Sequence, residues 1–309
     1  MDIEISEVGP RDGLQSISPI MATADKKAWI SALAAAGIPE IEVGSFVPPK
    51  LLPQLADTAE IVTHARTLPG LRVAVLVPNL RGAQNALAVK PHKMTIPLSV
   101  SETHSLKNLR KTHAQVLEEV RAIRAEIDAL PAAERPHFEG SLSTAFGCTI
   151  EGVVPESKVL EMAEKLIEAG CDEVGLSDTT GFASPRQVLD YTRHIHALLG
   201  PERLTGVHLH NTRGQGLANV MAALEAGLTT VDSSMGGIGG CPFAPGASGN
   251  IVTEDLVFLL ESMGLKTGVN FEKLFEARRV LAAALPDVPL YGFTADAGLP
   301  KGFVPATAQ

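Results

Sequence analysis

Apolar positions along this chain follow two rhythms that alternate. Short runs, apolar on every second residue or throughout, give way to longer stretches with apolar residues three and four apart. Ile3–Val8 reads as a strand stopped by Gly9-Pro10, and Ala24–Ala36 as a helix carrying Trp29, Ile30 and Leu33, closed by Gly37. Strand 40–43, helix 53–68, strand 71–77 and helix 80–89 follow; Leu71–Val77 is apolar on both faces and so reads as buried. The pattern continues with strand 93–97, helix 105–129, strand 137–143, helix 156–169, strand 173–176 and helix 185–198. Strand 204–209, helix 215–226, strand 229–233 and helix 252–263 complete it.

A strict strand–helix alternation implies a parallel sheet. Eight repeats over about 260 residues match the size of a closed (β/α)8 TIM barrel rather than an open doubly wound sheet. Beyond 265 the pattern predicts one more helix, 271–285, and a Pro/Gly-rich end folded onto the barrel. With no linker-like segment, residues 1–309 are expected to form one domain, the barrel over about 1–265 and an extension over 266–309.

The net charge of −9 and the lack of a basic run argue against nucleic acid or an anionic membrane as partner, and no apolar stretch reaches membrane-spanning length. Cys148, Cys171 and Cys241 make no disulfide framework and suit a reducing cytoplasm; the start of the chain has no signal or transit character. Cys171 and Cys148 read as packing thiols. In so acidic a chain an anionic substrate needs a local cation, an Arg cluster or a metal.

In a barrel of this kind the chemistry sits at the carboxyl ends of the strands. Those ends offer Arg11 and Asp12, Glu42, Asp178 and Thr179, His208 and His210, and the loop after the last strand offers Cys241 and Asn250. His208 and His210, two apart on a strand, share a face. With Asp12 and Asn250 in reach they form a mixed N/O set for a divalent cation. The oxygen ligands and the absence of Cys-x-x-Cys favour Mg²⁺ or Mn²⁺ over structural zinc; the alternative is two lumen histidines held by core hydrogen bonds. Arg11 either stabilises charge on a substrate oxygen or makes a surface ion pair. Asp178 is a candidate orienter of a histidine, and Glu42 stays open. Gly237–Asn250 holds five glycines and two prolines in fourteen residues, so it is neither helix nor central strand. It is either a mobile lid bearing a reactive thiol, Cys241, or a connector with an incidental cysteine.

Four stretches carry a resemblance: Glu7–Gln15, Ser45–Lys50, His208–Asn219 and Gly239–Asn250. The chain resembles the 3-hydroxy-3-methylglutaryl-CoA (HMG-CoA) lyase family of metal-dependent barrels from Ile3 to about Phe271. The resemblance implies Asp12, His208, His210 and Asn250 as metal ligands, Arg11 as the enolate-steadying cation, and Glu42 as a site carboxylate. It gives proton transfer to His208 with Cys241, on a closing loop. Gln15, Asp178, Thr179 and Arg213 are further substrate-binding candidates. The implied activity is retro-Claisen cleavage of the acyl-CoA to acetyl-CoA and acetoacetate, in a homodimer or higher homo-oligomer. Asn211 and Arg213 stand where the mitochondrial-type pattern has Asp and Tyr. Arg213 is therefore either a surface residue or a reader of an extra carboxylate or phosphate, as on citramalyl-CoA. The tail has no cysteine, against thiol-based regulation. A condensing synthase of the same group is disfavoured by the Gly-Gly-Cys-Pro loop and the short chain, and a non-catalytic binding barrel by the presence of Arg11 and Cys241.

Overall fold

The computed structural model describes residues 1–239 and 249–309. Eight strands, β1 (Glu4–Glu7), β2 (Glu40–Ser45), β3 (Arg72–Leu76), β4 (Lys93–Ser99), β5 (His137–Ser143), β6 (Glu173–Asp178), β7 (Gly206–Leu209) and β8 (Thr230–Ser233), pair in sequence order. All pairs are parallel, and β8 returns to β1, with Glu4 to Glu7 opposite Thr230 to Ser233. This is the (β/α)8 barrel that the alternation predicts.

The helices between strands are α1 (Thr23–Ala35), α2 (Thr58–Ala65), α3 (Leu80–Val89), α4 (Glu102–Asn108), α5 (His113–Asp128), α6 (Glu156–Ala169), α7 (Pro185–Leu199) and α8 (Gly216–Glu225). They form where a stripe of apolar residues meets a local start or stop. In α6, Val159, Met162, Ala163, Leu166 and Ala169 are buried and Gly170 ends the helix with φ 117°. In α7, Pro185 opens the first turn and Ser184 with Gln187 forms a reciprocal cap. α9 (Thr253–Ser262), α10 (Phe271–Ala284) and α11 (Phe293–Ala297) follow. α10 packs on α1 and closes the ring, its entry tied by Asn270 N–H to the Ala36 carbonyl at 2.8 Å.

The expected single helix 105–129 is two helices. Thr112 accepts from the backbone N–H of Gln115, and the Gln115 side chain accepts from Thr112 N–H. That capping box starts a new helix inside an apolar pattern that runs across it. Arg110 takes a left-handed φ of 57° to make the corner. Likewise 53–68 divides into a tight turn, Pro53–Leu55, and α2, because the Thr58 hydroxyl donates to the Leu55 carbonyl at 2.7 Å.

The barrel interior is polar at its amino-terminal end. Lys93 Nζ lies 2.5 Å from Glu139, 3.5 Å from Glu173 and 3.6 Å from Glu40, plugging the floor. Apolar residues fill the layer between strands and helices, with Trp29, Phe138, Ile5 and Ile41 fully buried.

Candidate active site

A cavity of about 710 Å³ opens at the carboxyl ends of the strands and reaches down the lumen to Lys93 and Glu139. Of the residues singled out from the sequence, Arg11, Asp12, Gln15, Glu42, Thr179, His208 and His210 line it.

Asp12 is presented by a single wide turn, Gly9–Gly13, whose Asp12 and Gly13 amides both point back to the Val8 carbonyl. Its carboxylate gathers the site. Oδ1 accepts from Arg11 Nη1 at 2.8 Å and Gln15 Nε2 at 2.7 Å, and Oδ2 from Asn250 Nδ2 at 2.8 Å. Asn250 is strapped to the end of β7 by a bridge to His210 and by Ile251 N–H to the Leu209 carbonyl at 3.1 Å. This brings together two residues 238 positions apart in the chain.

His208 Nε2 and His210 Nε2 lie 3.0 Å from each other and each 3.9 Å from Asp12 Oδ2. One ligand atom from each of the three residues falls within 4.8 Å of the others. Asn250 Oδ1 is buried with no hydrogen-bond donor, beside this cluster, while its Nδ2 serves Asp12 and the Ile238 carbonyl. Two imidazole nitrogens and a carboxylate converging on one point, with the unanswered amide oxygen of Asn250 available as a fourth donor, are a set that a divalent cation takes. The four residues fit a metal centre.

Burial works against the Asp12 charge, but Arg11, His208 and His210 outweigh it and hold the carboxyl at about 2. Burial pushes His210 down to about 4, with His208 adding to the effect, which leaves its ring neutral as metal ligation requires. Arg11 is buried between two carboxylates, with Nε 2.5 Å from Glu42 and Nη1 2.8 Å from Asp12. These outweigh its desolvation and keep the guanidinium charged.

Two acidic residues that sequence pattern alone does not single out also act here. Asp232, level with His208 in the β7–β8 register, stands 3.1 Å from His208 Nδ1. It orients the ring so that Nε2 faces the cluster. Glu7 is buried behind the Gly9–Gly13 turn, accepting from the amides of Gly9 and Met235 and from the Thr253 hydroxyl. Burial pushes its carboxyl up to about 8. It ties β1, the segment after β8 and α9 together. Asp232 could be found only from strand register; Glu7 sits in a motif that also marks Arg11 and Asp12.

The remaining candidates are placed differently. Thr179 lines the cavity and its Oγ1 accepts from Thr144 N–H at 3.0 Å. Asp178 points into the loop that follows, accepting from the amides of Phe182 and Ala183 at 2.8 and 3.1 Å, and its other oxygen is buried without a partner. Burial raises it to about 6. Arg213 donates to the carbonyls of Thr180 and Gly181 at 3.3 and 2.9 Å and lies 4.5 Å over the Phe182 ring. Neither Asp178 nor Arg213 lines the cavity. Cys241 lies outside the described residues; the chain is described up to Gly239, which is at the cavity wall. Cys148 and Cys171 are buried.

A model of the HMGL-like family matches residues 2–281. The chain belongs to this family. Among HMGL-like relatives it is 42% identical over 279 residues to hydroxymethylglutaryl-CoA lyase of Bacillus subtilis, covering 90% of this chain and 91% of that protein. It is 41% identical over 284 residues to the mitochondrial hydroxymethylglutaryl-CoA lyase of mouse, 92% of this chain and 86% of that one. The structure of an HMG-CoA lyase from Acinetobacter baumannii, solved in complex with coenzyme A and 3-methylmalate, superposes with a TM-score of 0.90 at 39% identity. The match covers 98% of this chain and 97% of that one. No helix among the described residues is long and apolar enough to cross a membrane.

Proposed function

We propose that this chain is a divalent-cation-dependent carbon–carbon lyase that cleaves HMG-CoA to acetyl-CoA and acetoacetate. The observation that carries the reading is the convergence of Asp12, His208 and His210, with the orphaned Asn250 oxygen as a fourth donor, beside Arg11 where the cavity opens at the carboxyl ends of the strands, in an HMGL-like chain.

The reaction is redox-neutral and needs no water. The tertiary hydroxyl loses its proton, the bond between C2 and C3 breaks, and the electron pair leaves as the enolate of acetyl-CoA, which takes a proton to become acetyl-CoA. Asp12, His208, His210 and Asn250 would hold Mg²⁺ or Mn²⁺, which supplies Lewis acidity toward the substrate hydroxyl and a carbonyl oxygen. Arg11 sits where it can share the negative charge of the departing enolate oxygen, and Glu42 keeps the guanidinium in place. Gln15 and Asn250 hold the Asp12 carboxylate from either side. His208 keeps one nitrogen on Asp232, and its Nε2 cannot both ligate a cation and deliver a proton. In this reading protonation of the departing carbon falls to Cys241; with Nε2 free, His208 would be the acid. Thr179, which lines the cavity, is a candidate to contact the acyl group.

An Arg at position 213 would suit a different branched acyl group, such as that of citramalyl-CoA, if it reached the substrate. Its guanidinium is engaged by backbone carbonyls and Phe182 away from the cavity, which favours HMG-CoA. We further propose a cytoplasmic homo-oligomer. The test is a coupled assay on chelator-stripped protein with Mg²⁺ or Mn²⁺ restored, scoring acetyl-CoA from HMG-CoA and from citramalyl-CoA side by side. Metal-dependent turnover of the first is expected; turnover of the second alone would replace the substrate assignment.

A further inference from the structure

The chain beyond the barrel reaches the metal centre from behind. Arg278, on α10, places Nη1 2.6 Å from Glu254 Oε1 and 2.9 Å from the Tyr291 carbonyl. Glu254 is fully buried, and its other oxygen accepts from the Gly236 amide at 3.1 Å. The Gly236 carbonyl in turn accepts from Tyr291 N–H at 2.7 Å. Leu290 sits so close over Gly236 that a β-carbon there would lie 2.9 Å from its Cδ2. Asp255 completes the attachment, accepting from the amides of Phe293 and Thr294 at 3.1 and 2.7 Å. Gly236 and Gly237 take left-handed φ angles of 65° and 64°, a turn that suits glycine and costs the most entropy to hold in one conformation. Here both backbone groups of Gly236 are held. The residue after this turn, Ile238, offers the carbonyl that accepts from Asn250 Nδ2 at 3.2 Å.

We propose that Arg278 is a positioning residue for the metal centre: with Leu290 and Tyr291 it fixes the Gly236 turn, and through the Ile238 carbonyl it sets the Asn250 oxygen toward the cluster. This rests on the metal-centre part of the reading above. An amide side chain can face a cation with its oxygen or its nitrogen, and only the oxygen accepts. Asn250 Nδ2 carries two protons. Asp12 Oδ2 answers one and the Ile238 carbonyl the other, which leaves Oδ1 for the cation. If the Ile238 carbonyl shifts, a buried N–H loses its acceptor, and the orientation that serves the cation loses that bond. Arg278 matters because one nitrogen joins both clamps on Gly236, the carboxylate that holds its amide and the residue that holds its carbonyl. None of Arg278, Leu290 and Tyr291 lines the cavity, so none is placed to touch substrate.

The test is the Mn²⁺ affinity of chelator-stripped full-length protein, read by competition with a fluorescent chelator, on two backgrounds. In the native background Arg278→Met lowers the affinity about tenfold, as for other residues that hold a metal ligand in place. Arg278→Lys, which keeps a charged donor beside Glu254, restores most of it. With Asn250→Ala already present, Arg278→Met lowers the affinity no further, because the ligand it positions is gone. General damage to the barrel would lower both backgrounds alike. An equal loss on both, or wild-type affinity in a well-folded Arg278→Met, overturns the proposal. Should Arg278→Met fail to fold in metal-free thermal melts, Leu290→Ala carries the same comparison. A wild type that binds no Mn²⁺ sinks the metal centre and this proposal together. Binding without cleavage of HMG-CoA sinks only the lyase assignment, and the affinities still decide the role of Arg278.

Discussion

Removing the Asp232 carboxylate should loosen the metal centre without touching a ligand. Asp232 Oδ2 is 3.1 Å from His208 Nδ1, and its backbone is fixed opposite His208 by the sheet. In Asp232→Ala the ring loses the group that orients it, and its Nδ1 is left without a protein partner. A carboxylate behind a metal-ligating histidine is worth about tenfold to a hundredfold in metal affinity, or about 1.4 to 2.7 kcal/mol. Asp232→Asn keeps an oxygen that can accept the Nδ1 proton but drops the charge, so it should fall between wild type and alanine. The assay is competition for Mn²⁺ against a fluorescent chelator, with thermal melts of the metal-free proteins confirming that all three fold alike. Wild-type affinity in a well-folded Asp232→Ala would refute the role given to this residue.

Three more perturbations follow from the same geometry. Glu7 keeps its proton when folded, since burial lifts it from 4.5 to about 8; the folded state therefore loses stability as pH rises through that window. Glu7→Gln, whose amide can donate to Thr253, should gain on wild type across it by up to a few kcal/mol, read as the pH dependence of urea midpoints; parallel curves would contradict the raised pKa. Lys93→Met strands Glu40, Glu139 and Glu173 around an uncharged side chain and should cost about 3 to 5 kcal/mol in urea unfolding; a near-neutral change would mean that water, not the ammonium, balances the floor. Lys90 ends α3 at φ 55°, so Lys90→Gly should raise the melting temperature by about one to three degrees, and a drop would show that its exposed ion pair with Glu134 outweighs the strain.

Local pattern in the chain was sufficient for the strands, most helices and the barrel. Period-two and period-3.6 burial are properties of neighbouring residues, and eight alternations leave few ways to close a parallel sheet. The helix break at 109–112 was also written locally, in the Thr112–Gln115 box, but the continuous apolar stripe of α5 and the residues before it masked it. The chemistry at strand ends was legible by residue type: Asp12, His208 and His210 come to one point.

Neighbouring residues along the chain thus set the succession of elements and the kinds of side chain delivered to the open end of the barrel. Which of them meet depends on how distant segments pack. Asn250 reaches Asp12 only because the chain after β8 is laid against the end of β7. Asp232 backs His208 only through the β7–β8 register, and Arg213 is drawn off to the Thr180 and Gly181 carbonyls. Such pairings depend on ring closure, register and the direction of single side chains, which are set by contacts between residues far apart in the chain. No spacing along the chain encodes them.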